Sequence, residues 1–221
     1  MRLLLLRHGQ THGNTSGALD TALPGLQLTE LGYRQAQAAA QALAGEPIER
    51  IVISPTHRTH QTAAPLAALL GLSPETREGL REISAGDYEM ATDHDSILGY
   101  IGTVADWIET RLHTRMPGGE TGHEFLARYD EVIAEIAADG TSCALVVSHG
   151  AAIRTWVASR VADSDTHAMA TEGLHNTACI EVVGDPESGW EVVSWTSEPI
   201  GGEFLEDLSA PDPTGHAVED E

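Results

Sequence analysis

The chain reads as an α/β protein, with a sheet covered by helices on both faces. Two observations predict this: short wholly apolar runs alternate with amphipathic helical stretches, and two of those runs end on the same dipeptide, His-Gly. A third observation is size. At 221 residues and 41% hydrophobic, the chain can bury one sizeable core, or one core with a small inserted subdomain.

The elements follow in order. Leu3-Leu4-Leu5-Leu6 is a buried-strand run that ends on Arg7-His8-Gly9. Thr29 caps an alanine-rich helix from Glu30 to about Ala44, stopped by Gly45 and Pro47. Ile51-Val52-Ile53 is a second strand. Ser54-Pro55 then supplies a cap and a first-turn proline for a helix running to Leu70 and closed by Gly71. Amphipathic stretches from Ser96 to Leu112 and from about His123 to Ala138 predict two more helices. Ala144-Leu145-Val146-Val147 is a third strand run, ending in Ser148-His149-Gly150 and leading into a helix from Ile153 to Val161. Ile180 to Val183 and Trp190 to Trp195 read as strands joined by a Gly/Pro/Ser turn, whose exposed residues offer an edge for a monomer or a homodimer. From Gly201 the chain is acidic and carries Pro211 and Pro213. This predicts a catalytic domain over 1–200 and an acidic tail over 201–221.

Charge narrows the partners. The formal net charge is −22, so nucleic acid and anionic membrane would be repelled over most of the surface. All twelve basic residues are arginine, so any cationic ligand for an anion must be arginine or protonated histidine, and arginine fits phosphate oxygens with a planar fork. Cys143 and Cys179 have no metal-ligand spacing and sit in apolar runs, which predicts buried free thiols in a reducing cytoplasm. The first apolar run is too short for a signal-peptide core, and no stretch approaches a membrane span.

In α/β sheets, ligand sites form at the carboxyl ends of the strands. His8 and His149 both stand at such ends, each followed by a glycine that lets a ligand approach the backbone. His94, His113, His167 and His216 read as surface residues. So do His57 and His60, although two histidines three apart on a helix could share a face as metal ligands. Asp93-His94-Asp95 reads as an acidic helix N-terminus, and His175-Asn176-Thr177 as a loop near the site. Arg58 alone would be an exposed helix arginine, and Glu82 alone a solvated carboxylate.

Together, these residues resemble the histidine phosphatase superfamily, which includes cofactor-dependent phosphoglycerate mutases and many phosphatases. The resemblance covers roughly the first 180 residues. It rests on Arg7-His8-Gly9-Gln10-Thr11 with Asn14, on Ser54-Pro55 with Arg58 and Thr62, and on Leu80, Glu82, Gly86 and Glu89. Gly118-Gly119-Glu120 and Ser148-His149-Gly150 complete it. Tyr88 stands where tryptophan is common, and Met90-Ala91 where glycine and threonine are common.

The family implies a three-layer α/β/α sandwich with a mostly parallel sheet and a small helical cap inserted at about 83–117. It also implies His8 as nucleophile and Glu82 as general acid, with Arg7, Asn14, Arg58, His149 and Gly150 binding the phosphoryl group. Arg7, Arg58 and His149 would supply the positive charge. No metal and no cofactor are implied, because arginines do what magnesium does elsewhere. Phosphoryl transfer asks a protein mainly for position and positive charge, and a histidine nucleophile splits one displacement into two.

Three functions fit such a frame: a phosphatase acting on a small phosphorylated metabolite, a phosphoglycerate mutase, or a silent binding protein. Mutases of the family carry a lysine and extra arginines around the cap. Here there is no lysine, and residues 83–108 contain no arginine but include Asp87, Glu89, Asp93, Asp95 and Asp106. The phosphatase reading is preferred. Ile97, Leu98, Tyr100, Ile101, Val104 and Trp107 in the cap serve core packing or line an organic pocket.

Overall fold

A computed structural model describes residues 1–161, 170–171 and 173–215. Six strands form one sheet: β1 (Arg2–Arg7), β2 (Arg50–Ile53), β3 (Glu75–Thr76), β4 (Cys143–Ser148), β5 (Cys179–Asp185) and β6 (Gly189–Thr196). Their order is β3-β2-β4-β1-β5-β6. The first four in that order are mutually parallel, while β5 runs antiparallel to both β1 and β6, so the sheet is mostly parallel.

Side chains alternate across the pleat, and the two faces carry different helices. Leu4, Leu6, Ile51, Ile53, Leu145 and Val147 pack against α2 (Glu30–Leu43) and α3 (His57–Leu70), which follow the short α1 (His12–Ser16). Leu3, Leu5, Val52, Ala144 and Val146 face the other way, against α4 (His94–Ile108), α5 (Gly122–Ala138) and α6 (Gly150–Arg160). The expected sandwich is therefore present. Its larger core is aromatic: Trp107, Phe125, Tyr129, Trp156 and Trp190 follow one another in ring contact.

Local chemistry explains the element ends. Asp93 caps α4 by accepting from Ser96 N, so the acidic cluster there serves the helix start. Thr121 and Glu124 form a reciprocal capping box at α5. Helix α3 begins later than Ser54-Pro55 suggests: its N-cap is Thr56, and Ser54 is drawn away to hydrogen-bond a histidine. β3 and α1 have no periodic signal because each is too short to show one. The segment Gly86–Tyr88 and α4 occupy the stretch where an inserted cap was expected, and Tyr100, Val104 and Trp107 are buried in the main core while Leu98 stays exposed. His167 and His216 lie outside the described residues.

Candidate active site

β1 and β4 are adjacent and in register, with Arg7 opposite Ser148. The next residue on each is a histidine, so parallel pairing alone places His8 beside His149, with ring centroids 5.2 Å apart. On the other side of β4, β2 ends at Ile53 and leads into Ser54, and Arg58 projects from the first turn of α3. Glu82 follows a short turn of helix over Glu78–Leu80 and meets the start of α6. Arg7, His8, Asn14, Arg58, Glu82, His149 and Gly150, separated by up to 143 positions, converge at this sheet edge. All are buried.

Hydrogen bonds assign the ring protons. A carbonyl oxygen only accepts, so the 2.8 Å contact between His8 Nδ1 and Gly9 O places a proton on Nδ1. Nε2 then carries the lone pair. Burial, followed by the charges of Arg58 and Arg7, holds the His8 pKa well below the usual histidine value, so the ring is neutral near pH 7.

His149 is fixed in the opposite tautomer. Arg58 Nε donates to its Nδ1 at 3.3 Å, so Nε2 bears the hydrogen and donates to Ser54 Oγ at 2.7 Å. Burial and the neighbouring Arg58 keep it neutral too. His149 was expected to share the positive charge. In the structure that charge rests on the arginines, and the ring orients Arg58.

Glu82 sits at the N-terminus of α6. Its Oε1 accepts from Ile83 N and Ala152 N, both at 2.8 Å, and Oε2 takes a long bond of 3.3 Å from Ala151 N. Those amides and the arginines favour the carboxylate, but burial outweighs them and raises its pKa. Oε2, less engaged, is the oxygen better able to carry a proton.

His8, Asn14, Asp20, Arg58, Glu82 and Thr214 line a tight cavity of about 10 Å³. Glu82 also borders a wider cavity of about 520 Å³ on the cap side, walled by Thr21, Leu23, Ser84, Arg81, Arg115 and Arg128. A still larger one, about 710 Å³, lies by Arg160 and the β5–β6 hairpin, at the other end of the sheet and away from these residues.

Several residues at the site carried no signal of their own. Asp20 binds Arg58 through Oδ2 at 3.2 Å. Asn176, from the loop noted near the site, donates to His8 O at 3.2 Å and to Asn14 Oδ1 at 3.3 Å. Arg154 is buried and donates to the carbonyls of Ala170 and Thr214; burial lowers its pKa to about 10. Asp212 and Thr214 come from the segment that reads as a tail. The one clue to them was the pair of prolines bracketing Asp212, which stiffens a stretch otherwise resembling a solvated run. His57 and His60 are exposed, and among the described residues no group of three His, Cys, Asp or Glu is placed to hold a metal ion.

Comparison with known proteins adds a second line. The family model for the histidine phosphatase superfamily (branch 1) matches residues 3–198. The chain is 36% identical over 212 residues to the PE-PGRS family protein PE_PGRS11 of Mycobacterium tuberculosis, covering 89% of this chain and spanning 36% of that protein's length. It is 30% identical over 210 residues to the glucosyl-3-phosphoglycerate phosphatase of the same organism, covering 88% of this chain and 91% of that one. The native structure of the mycobacterial glucosyl-3-phosphoglycerate phosphatase superposes with a TM-score of 0.73 at 30% identity, over 89% of this chain and 99% of that chain. Identity of 30% over 220 residues, 96% of this chain and 98% of the other, links it to a probable phosphoglycerate mutase, GpmB, of Yersinia pestis.

Proposed function

The chain belongs to the histidine phosphatase superfamily, branch 1, and from that premise we infer that it is a metal-independent phosphomonoester phosphatase acting on a small phosphorylated metabolite through His8. The observation that carries this reading is the His8 tautomer: a neutral ring whose Nδ1–H is tied to Gly9 O, leaving the Nε2 lone pair for attack.

Nε2 attacks phosphorus as the ester P–O bond breaks. Glu82, whose carboxyl pKa is raised by burial, gives its proton to the departing oxygen. The phosphoryl group is then held on His8 as phosphohistidine. The Glu82 carboxylate takes a proton from water as that water attacks phosphorus, the P–N bond breaks, and inorganic phosphate leaves. Arg7 and Arg58 balance charge on the equatorial oxygens, with Asn14 and the Gly150 amide as neutral donors and His149 orienting Arg58. Glu82 borders both cavities, so the phosphoryl group belongs in the tight one and the alcohol in the wider one.

Hydrolysis is favoured over mutase chemistry by the state of the cap. Mutase action requires a grip on a second acidic group. The arginines of the wider cavity are already engaged: Arg81 with Glu78, Arg115 with Glu124 and Arg128 with Glu120. Cys143 and Cys179 are free and buried, which suits a reducing cytoplasm. The net charge of −22 disfavours nucleic acid, and no described helix is long and apolar enough to cross a membrane.

The test is phosphorus NMR of chelator-treated protein with 3-phosphoglycerate and a panel of other phosphomonoesters, one arm containing a trace of 2,3-bisphosphoglycerate. Inorganic phosphate growing from an ester is the expected result. Interconversion of 2- and 3-phosphoglycerate without phosphate release would make it a mutase, and dependence on added metal would overturn the mechanism.

A further inference from the structure

We propose that Asp212 is a positioning residue for phosphoryl transfer, holding Arg7 from behind so that its Nε–H is the donor left for the phosphoryl group. This rests on the phosphatase reading above.

The segment carrying Asp212 is strapped across the carboxyl edge of the sheet. Gln35 Nε2 donates to Leu205 O and Gln10 Nε2 to Asp207 Oδ2, each at 2.8 Å. Asp212 N donates to Asn14 O at 3.2 Å, Leu174 N to Gly215 O at 2.8 Å, and Arg154 Nη2 to Thr214 O at 3.2 Å. Asp212 is buried between two prolines with φ of 25°, a left-handed backbone that a non-glycine residue adopts at a cost of order 1–3 kcal/mol. Strain of this kind persists where the surroundings over-determine it, which the strap does.

The Asp212 carboxylate meets Arg7 in a two-pronged pair: Nη1 to Oδ2 and Nη2 to Oδ1, both at 2.7 Å. Nη1 also donates to Leu174 O at 2.7 Å and Nη2 to Thr214 Oγ1 at 3.3 Å. A guanidinium has five N–H groups, and four are thereby spoken for. The fifth, on Nε, is fully buried with no hydrogen-bond partner among the described residues. A buried unpaired donor costs free energy unless a ligand answers it. Nε lies against Gly150, where a Cβ would come within 3.0 Å of it, and Gly150 opens α6 at the phosphoryl site. Asp212 also accepts from Asn14 Nδ2 at 2.7 Å, so one carboxylate steadies two of the proposed phosphate ligands. Neither Asp212 nor Arg7 lines the cavity around His8, whereas Asn14 and Thr214 do, so the pair bears on the phosphoryl site through Asn14 and Gly150.

The test uses the full chain with p-nitrophenyl phosphate as substrate and orthovanadate as inhibitor. Asp212→Ala should lower kcat by about a hundredfold and weaken vanadate inhibition in parallel, with KM moving less than about threefold. Asp212→Asn, which keeps the shape, should fall between it and the parent. Leu208→Ser, on the exposed part of the same segment, should match the parent. In an Arg7→Ala background, Asp212→Ala should add nothing, because it acts through Arg7. A gain in kcat/KM on replacing Asp212 would show that the carboxylate obstructs the site and overturn the proposal. Unchanged kcat and vanadate affinity, or a loss that simply adds to that of Arg7→Ala, would overturn it too. Failure of the parent to release phosphate would instead sink the phosphatase reading.

Discussion

The two cavities that share Glu82 are built differently. On the phosphoryl side, His8, Arg7, Arg58 and His149 are all 3% exposed or less, and each is held by backbone or by another fixed side chain. On the cap side, Arg115 and Glu124 are both more than half exposed and pair with each other, with nearby backbone and with the Thr121 hydroxyl. Buried, hydrogen-bonded polar groups are costly to perturb, whereas exposed ion pairs contribute about 0–1 kcal/mol. On the proposed function, the chemistry would thus sit in a rigid site and the choice of alcohol in a yielding one. Substitutions should have effects that fall steeply from the first to the second.

The largest effect belongs to the nucleophile. His8→Ala should lower kcat by about a hundred-thousandfold or more and abolish the acid-labile phosphoenzyme in a rapid quench with labelled substrate. Residual turnover near the parent rate would place the nucleophile elsewhere. Arg58→Ala comes next, at about a hundred- to a thousandfold in kcat, since it removes a buried cation and frees His149 Nδ1. A change in KM alone would mean that Arg58 binds the ground state only.

This gradient was visible in the sequence on one side only. The paired strand ends His8-Gly9 and His149-Gly150 were legible because strand runs have a recognisable apolar pattern and parallel pairing brings their ends together. Arg58 and Glu82 needed family resemblance, since a helix arginine and a loop carboxylate look like solvated surface until the fold buries them. Nothing local marks Asp20 as a partner of Arg58, and Asp212 lies 205 positions from the arginine it grips. Contacts of that kind come from loop closure, which leaves no periodicity. The protonation of His149 was also beyond reach, because burial against Arg58 decides it and burial is a property of the packed molecule.

Glu82 stands between the two regions, and its substitution should report on both. Glu82→Gln should cost about a hundred- to ten-thousandfold with an alkyl phosphate and far less with p-nitrophenyl phosphate, whose leaving group departs without a proton. Equal losses would give Glu82 another role. The pH profile follows from the directions of the shifts. His8 is held below its ordinary value of 6.5, so it stays neutral and nucleophilic as pH falls past 6.5. Glu82 is raised above 4.5, so its acid form persists as pH rises past 4.5. With alkyl phosphates, kcat/KM should therefore hold up below pH 6.5 and decline on the alkaline side, and Glu82→Gln should remove the alkaline decline. The same histidine shifts act on stability. The unfolded chain takes up protons on His8 and His149 below 6.5 that the native state refuses, so their contribution is present above 6.5 and is lost as pH falls from there.

The smallest effect is expected at the cap. Arg115 borders the wider cavity but spends its charge on Glu124 and the Gly119 carbonyl, in contact with solvent. Arg115→Ala should leave kcat with p-nitrophenyl phosphate within about twofold, because an exposed pair of this kind holds little free energy. It should, however, change the ranking of substrates whose alcohol reaches the cap. If instead Arg115→Ala lowered kcat by as much as Arg58→Ala, the cap would be part of the machinery that stabilises the transferring phosphoryl group, and the division between a fixed chemical site and a tunable one would fail at the residue where it is easiest to test.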